Sequence, residues 1–535
     1  MKLISRVKKR INREIAFRKN WKRIAYIASQ VAKFKSIDSN KKPVVFFNAS
    51  TRLEGMSLNA AYSLIASWAI RLTGAPIVHF VCNRGMSRCV LGVKRENTKQ
   101  VPLCQKCSSV SEHLYQYADV YRFTFQDDIN LKNKIARLDL EMLLSFSYQE
   151  IPLGKLILPS LRWTLRKHHL NNDDDTRFLA RQFILSAWHI AREFDGLITR
   201  INPQSVVVFN GMFFPEATAK YVASLHRIPV YSHEVGMFSF SAFFTSGEAT
   251  AYPIYLEPGI NLTEEQNKRL DIYLDRRFKG DFTTAGIRFW QKIEPLGSEF
   301  WQRVKSFKQI VPVFTNVIFD TSQSHANVVF PHMFAWLDII YDAVLAHPET
   351  FFIIRAHPDE LRPGKESRET VAQWVQKRGV DKLPNVLFID AKDYVSSYEL
   401  INNAKFVMVY NSTIGLEASI KGIPVLCAGR ARYTQVPTVF FPQSIPEFKL
   451  KLREFLMATE IRVPQIFILN ARRVLYNQLF RASLPFSDFI EDDGIWKGFV
   501  KLKEFPIEAL KPQNSPTINV LVRGILNKEP FLLNQ

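Results

Sequence analysis

Tyr410-Asn411-Ser412-Thr413-Ile414-Gly415-Leu416-Glu417-Ala418, followed by Gly422-Ile423-Pro424-Val425-Leu426, is the stretch on which the reading of this chain turns. The apolar run 406–410 predicts a buried strand. Asn-Ser-Thr predicts a turn able to cap a helix, and Gly415 a point where backbone can approach a ligand closely. Strand, turn and helix start together make a cradle for phosphate. Unsatisfied N–H groups point outward there, the helix dipole favours negative charge, and the hydroxyls of Ser412 and Thr413 add donors. Glu417, one turn into the helix, is placed to accept hydrogen bonds from a ribose diol.

Around this stretch, strand-like and helix-like segments alternate. Residues 310–319, 350–355, 385–389, 404–410 and 424–428 read as strands, with a helix over 333–347 and another starting at Gly415. An earlier series has strands at 43–49, 76–82, 205–210 and 229–233, with helices at 58–72, 177–200 and 216–226. Repeated strand-helix-strand units predict parallel sheets covered by helices. The fold class is therefore α/β, with two Rossmann-like doubly wound lobes. The expected divisions are a basic helical arm over 1–42, an N-terminal lobe over 43–245, and a connecting segment over 246–308 that lacks the rhythm. A C-terminal lobe over 309–450 and a helical tail over 451–535 follow. Sheets of this kind bind ligands at the carboxyl ends of their strands. Polar residues gather at those ends: 48–54, Asn210-Gly211, His233-Glu234, 316–320 and 355–360.

The chain has 535 residues, enough for two or three domains, and 47% of them are hydrophobic, which is ordinary for a globular protein. No run of about eighteen apolar residues occurs, so no membrane-spanning helix is expected, and the N-terminus lacks the apolar core of a signal peptide. Free thiols without a secretion signal suggest a reducing cytoplasm. The net charge is +21. Residues 1–42 hold fourteen Lys or Arg against Glu14 and Asp38, hence twelve of those excess charges. Ile4, Val7, Ile11 and Ile15, then Trp21, Ile24, Ala28 and Val31, recur at helical spacing. Such an amphipathic arm suits an anionic membrane surface. Nucleic acid and packing on the protein itself are the competing partners.

Cys82, Cys89, Cys104 and Cys107 form C-x6-C-x14-C-x2-C, four of the five cysteines within twenty-six residues. Four thiolates suit structural zinc, or alternatively an iron-sulfur cluster. Nearby Arg84, Arg88, Lys94, Arg95, Lys99 and Lys106 would offset their charge. Four cysteines leave zinc no open position, so the metal would be structural. Cys427, in an apolar strand, reads as buried packing.

Arg355-Ala356-His357-Pro358-Asp359-Glu360, Ser396-Ser397-Tyr398-Glu399-Leu400, the stretch quoted first, and residues 429–433 resemble the donor lobe of GT-B glycosyltransferases of the bacterial capsule polysaccharide biosynthesis type. Asn210-Gly211 and His233-Glu234-Val235-Gly236 are similar to acceptor-lobe loops of those proteins. The resemblance implies two Rossmann-like lobes, a nucleotide-activated sugar between them, and transfer without a bound metal. It also implies a tail packed back across the lobes, a glycan or lipid-linked glycan acceptor, and work at the inner face of the cell membrane.

The chemistry of such a transfer fits the residues. Negative charge develops on the leaving phosphate and must be stabilised where it appears. Arg355 and His357 can supply charge or hydrogen bonds; Asn411, Ser412, Thr413 and Gly415 form the cradle; Glu417 would hold the ribose. Asn316, Asp320, Ser396 and Tyr433 are candidates for base or sugar contacts. His357-Pro358 can also be read as a strand-ending turn with a capping histidine. An inverting transfer needs a general base, for which Glu54 is the first candidate and Glu234 the second. The same fold could instead transfer a polyol phosphate or epimerise a nucleotide sugar. A non-enzymatic nucleic-acid binder would leave the donor-lobe residues unexplained.

Overall fold

The computed structural model describes residues 2–34, 38, 40–49, 55–257, 259–279, 295–393, 395–496 and 498–534. The chain separates into two compact units. The first comprises Met1–Thr164, Leu170–Tyr252 and Leu479–Gln535; the second comprises Leu165–His169 and Pro253–Gln478.

The first unit is built on a seven-stranded sheet. From one edge its strands are Leu484–Pro485, Ser241–Thr245, Val230–Val235, Ser205–Phe209, Val44–Asn48, Ile77–Cys82 and Asp119–Phe123. The last five run parallel, and the two at the Leu484 edge are antiparallel. Numbered along the chain, the parallel strands lie in the order 3-2-1-4-5. The order therefore reverses between Val44–Asn48 and Ser205–Phe209, the place where doubly wound sheets open a crevice. Parallel strands are covered on both faces, which is why Val44, Val45, Phe46 and Phe47 are consecutive apolar residues, none more than 2% exposed. Helix Leu58–Leu72 is capped by the Ser57 side chain, and helix Asp174–Ile201 by that of Asp173. Two further acids in the first turn of the longer helix suit its dipole.

Phe80 stacks on Phe47 and Phe123 with centroids at 5.1 and 4.6 Å, and meets the edge of Phe194 at 5.2 Å. Phe194 comes from helix Asp174–Ile201, so this cluster fastens that helix to the sheet.

The arm is a single helix, Lys2–Lys33. Ile24, Ile27, Ala28 and Val31 are all within 4% exposure and belong to the first unit's core, together with Leu484, Phe489, Leu502 and Leu521 from the end of the chain. Asn20 Oδ1 accepts from Leu502 N–H at 3.0 Å, and Trp21 stacks on His113. The apolar stripe expected to face a membrane in this half of the helix is thus packed on the protein. The tail offers it a dry apolar partner and matched polar contacts.

The second unit has a five-stranded, wholly parallel sheet: Val386–Ile389, Thr350–Arg355, Gln309–Phe314, Val407–Val409 and Val425–Cys427. Its order along the chain is again 3-2-1-4-5, reversing between Gln309–Phe314 and Val407–Val409. Much of the segment expected to connect the lobes, 246–308, is part of this unit from Pro253 onward. Its helix Glu264–Phe278 docks on helix Gln465–Tyr476, where Arg472 donates to Asn267 Oδ1 at 2.8 Å and pairs with Asp271 at 2.7 Å. The short excursion Leu165–His169 is tied by Glu369, whose Oε2 accepts the N–H groups of His168 and His169 at 2.9 and 3.1 Å.

The tail divides: residues up to Gln478 stay with the second unit, and the rest completes the first. There Phe499–Leu502 joins Ile490–Asp492 and Met56–Ser57 in a small antiparallel sheet. Among the described residues no helix is long and apolar enough to cross a membrane.

Phe80→Ala should destabilise the first unit by roughly 3–5 kcal/mol, because the cavity sits among rigid aromatic rings; urea unfolding followed by tryptophan fluorescence reads this. His79 and His233 are each pushed down to about 3 by burial. The unfolded chain then binds more protons than the folded one between about pH 3 and 6.5, so stability is full above 6.5 and falls as pH drops. Each histidine contributes a slope of up to about 1.4 kcal/mol per pH unit, and His233→Phe should flatten the measured dependence.

Candidate functional site

At the reversal point of the second sheet, two asparagines face each other across adjacent strand ends. Asn316, just past Gln309–Phe314, accepts the backbone N–H of Asn411 on Oδ1 at 3.2 Å. Asn411, just past Val407–Val409, also accepts from Gln323 Nε2 at 3.4 Å. Both asparagines and Ser412 are partly exposed and Thr413 is exposed, so this edge presents amide and hydroxyl groups outward.

The turn itself differs from its sequence reading. Thr413 takes a helical conformation at the cap of helix Ile414–Ile420 and makes no capping hydrogen bond. The turn is held instead by backbone bonds from Gly415 N to Ser412 O and from Leu416 N to Thr413 O, at 3.1 and 3.0 Å. Gly415 is required for a reason other than close approach of a ligand: a Cβ there would stand 2.4 Å from Tyr433 Oη. Tyr433 is 1% exposed and donates its hydroxyl to Ser412 O at 2.7 Å. It braces the turn from inside and does not face the edge.

Glu417 departs furthest from expectation. It is 3% exposed, with Oε1 at 2.6 Å from Arg277 Nε and Oε2 accepting the Tyr398 hydroxyl at 2.6 Å. Burial disfavours the Arg277 cation, yet Glu417 beside it wins and holds its pKa above the ordinary value. Arg277 Nη1 in turn reaches Tyr273 Oη at 3.3 Å. Glu417 is thus engaged inside the unit, joining helix Glu264–Phe278 to the turn, and its carboxylate is not presented to a ribose. Nothing in the sequence pairs Arg277 with a residue 140 positions away; only the fold brings them together.

On the neighbouring strand end, Arg355 is 3% exposed and donates from Nη1 to Asp390 O at 2.9 Å. Burial lowers its pKa to about 10, against the pull of Asp393 and Asp390, so it stays cationic at neutral pH. His357 Nδ1 accepts the Asp359 N–H at 3.1 Å, the capping role foreseen as its alternative. That bond leaves Nε2 as the protonated nitrogen of a neutral ring. Burial depresses its pKa, with Asp359 opposing, Arg355 reinforcing and Asp320 opposing. Asp320 is exposed and accepts from the Ser322 hydroxyl. Ser396 caps helix Ser397–Asn402 through Glu399 N–H at 3.4 Å.

In the first unit, Glu54 lies outside the described residues. Glu234 is partly exposed at the end of its strand, oriented by Asn210 Nδ2 at 2.9 Å and by the Val235 N–H at 3.0 Å. Asn210 and Gly211 both have positive φ, +59° and +83°, which turns the chain sharply below it. Lys220 packs over Gly211 and pairs with Glu248, a contact between residues too far apart along the chain for local patterns to show. The four clustered cysteines line one pocket, but among the described residues no three His, Cys, Asp or Glu side chains stand arranged to hold a metal ion.

Residues 303–451 match the model of a family described as capsule polysaccharide biosynthesis protein. The matched segment lies within the second unit. It contains both asparagines, Arg355, His357, Glu417 and Tyr433. No curated protein matches the chain. Among solved structures, the chain is similar to the β-Kdo 2,4-transferase of Thermosulfurimonas dismutans KpsC at 12% identity, over 58% of this chain and 87% of that one, with a TM-score of 0.35. The β-Kdo 2,7-transferase of the same protein matches at 15% identity over 58% and 85%, with a TM-score of 0.33. A UDP-GlcNAc 2-epimerase of Neisseria meningitidis bound to UDP-GlcNAc matches at 12% identity over 82% and 99%, with a TM-score of 0.24. Likenesses this distant bear on neither substrate nor mechanism.

Arg277→Ala should destabilise the second unit by roughly 3–5 kcal/mol, since it strands a buried carboxylate, whereas the double change Arg277→Met with Glu417→Leu should recover most of the loss. Differential scanning calorimetry of the three proteins checks this.

Proposed function

We propose that the protein is a glycosyltransferase of capsule-type surface polysaccharide assembly, binding a nucleotide-activated sugar at the carboxyl edge of the second sheet. The observation that carries this reading is the match of residues 303–451 to the capsule polysaccharide biosynthesis family, because the matched segment holds the sheet's reversal point and the polar groups around it.

In this reading Asn316, Asn411, Ser412 and Thr413 meet the donor. Arg355, a cation at neutral pH, and the Nε2–H of neutral His357 stabilise the charge that grows on the departing phosphate. Glu417 and Tyr433 act indirectly, by holding the turn. Glu234, held as an acceptor by Asn210, is the base proposed for the acceptor hydroxyl. The GT-B arrangement, the glycan or lipid-linked acceptor and a place at the inner membrane surface belong to the same proposal. The arm would contribute there through its Lys and Arg charge, because the apolar stripe of its second half is packed inward.

The test is a thermal-shift screen of the full chain against nucleoside mono- and diphosphates and their sugar conjugates. Binding at a hundred times Kd stabilises by about 2.7 kcal/mol, and the shift should come from one nucleotide class and vanish in an Asn316→Ala, Asn411→Ala double variant. His357→Ala should retain the shift and lose on the order of 10²-fold or more in turnover of the donor. Stabilisation by oligonucleotides alone, with no nucleotide response, would sink the proposal.

A further inference from the structure

The pocket that gathers Cys82, Cys89, Cys104 and Cys107 is not used by the transfer chemistry. Its ligand candidates come from three elements: Cys82 ends the strand Ile77–Cys82, Cys89 lies in the following loop, and Cys104 and Cys107 lie in the first turns of helix Cys104–Leu114. None of the four is in a disulfide, and all line one cavity of about 30 Å³, bordered by Ala49 and Pro215.

Backbone geometry brings the four sulfurs to one place. Cys82 and Cys89 each begin a Cys-x-x-Gly turn in which the glycine N–H points at the sulfur: Gly85 N to Cys82 Sγ and Gly92 N to Cys89 Sγ, both at 3.2 Å. Cys104 and Cys107 sit three residues apart at the amino end of an eleven-residue helix, a spacing that puts both side chains on one face. Burial holds all four thiols above their ordinary range, with Arg84 and Arg88 opposing at Cys104, and Arg88 is fixed by the carbonyls of Ser87 and Lys99 at 2.7 and 2.6 Å.

We infer that these four cysteines bind one zinc ion as a structural tetrathiolate site. The twenty-one residues 83–103 between strand and helix contain no helix or strand, an unusual length for a loop without its own staple. Zinc would supply that staple, tying the loop to the sheet beside Asn48. The sulfurs are not yet at metal-bonding separations, so the ion draws them together as it displaces four thiol protons. The inference is independent of the transferase reading.

The full chain, expressed in medium with equal zinc and iron, should purify colourless with about one zinc per chain by inductively coupled plasma mass spectrometry. A mercurial reagent should release that zinc in step with four thiols, and chelation should lower the melting temperature. Cys104→Ser with Cys107→Ser should reduce bound zinc at least tenfold, while Cys427→Ser keeps it. Should the double variant fail to fold, the mercurial titration of the unaltered chain decides alone. Iron with acid-labile sulfide, four thiols titrating freely without metal, or zinc released without thiol consumption would each overturn the inference.

Discussion

Both sheets obey one constraint: parallel strands covered by helices on each face can expose polar chemistry only at their ends. Val44–Asn48 and Gln309–Phe314 are the central first strands of their sheets, and along each the side chains are almost wholly buried. The chain is forced to place its hydrogen-bonding residues where these strands stop. Asn48 and Asn210 in one unit, and Asn316 and Asn411 in the other, mark the reversal points that follow from the shared 3-2-1-4-5 order.

Around the second of these points, positions divide by burial and not by residue type. Ser412, Thr413 and the asparagines face outward, whereas Glu417, Tyr398 and Tyr433 form the support beneath. A carboxylate this buried persists because Arg277 and Tyr398 satisfy it; without Arg277 its charge is uncompensated, and without Tyr398 its second oxygen loses a donor. The outer groups can then be held in register without themselves being packed.

Much of this architecture was legible because it rests on local signals. The apolar runs at 43–49 and 350–355 became strands Val44–Asn48 and Thr350–Arg355, and the helical periodicity at 58–72 became helix Leu58–Leu72. What escaped the sequence is long-range. The identical strand orders leave no internal repeat, since topology is a matter of crossovers. The pairing of Glu417 with Arg277 and the bracing of Gly415 by Tyr433 depend on contacts between distant segments. The partner of the basic arm stayed open for a related reason: amphipathic spacing tells that Ile24, Ala28 and Val31 need an apolar partner, not whether that partner is lipid or the end of the same chain.

The first unit closes its core with Leu484, Phe489, Leu502, Ile518 and Leu521, which lie late in the sequence, against Ile24 and Ile27, which lie early in it. During translation the early part of the chain must therefore wait with its apolar surface uncovered, while nearly all of the second unit, contiguous from Pro253 to Gln478, emerges with its partners already available. The ribosome thus imposes an inverted schedule, with the later-encoded body able to mature before the earlier one.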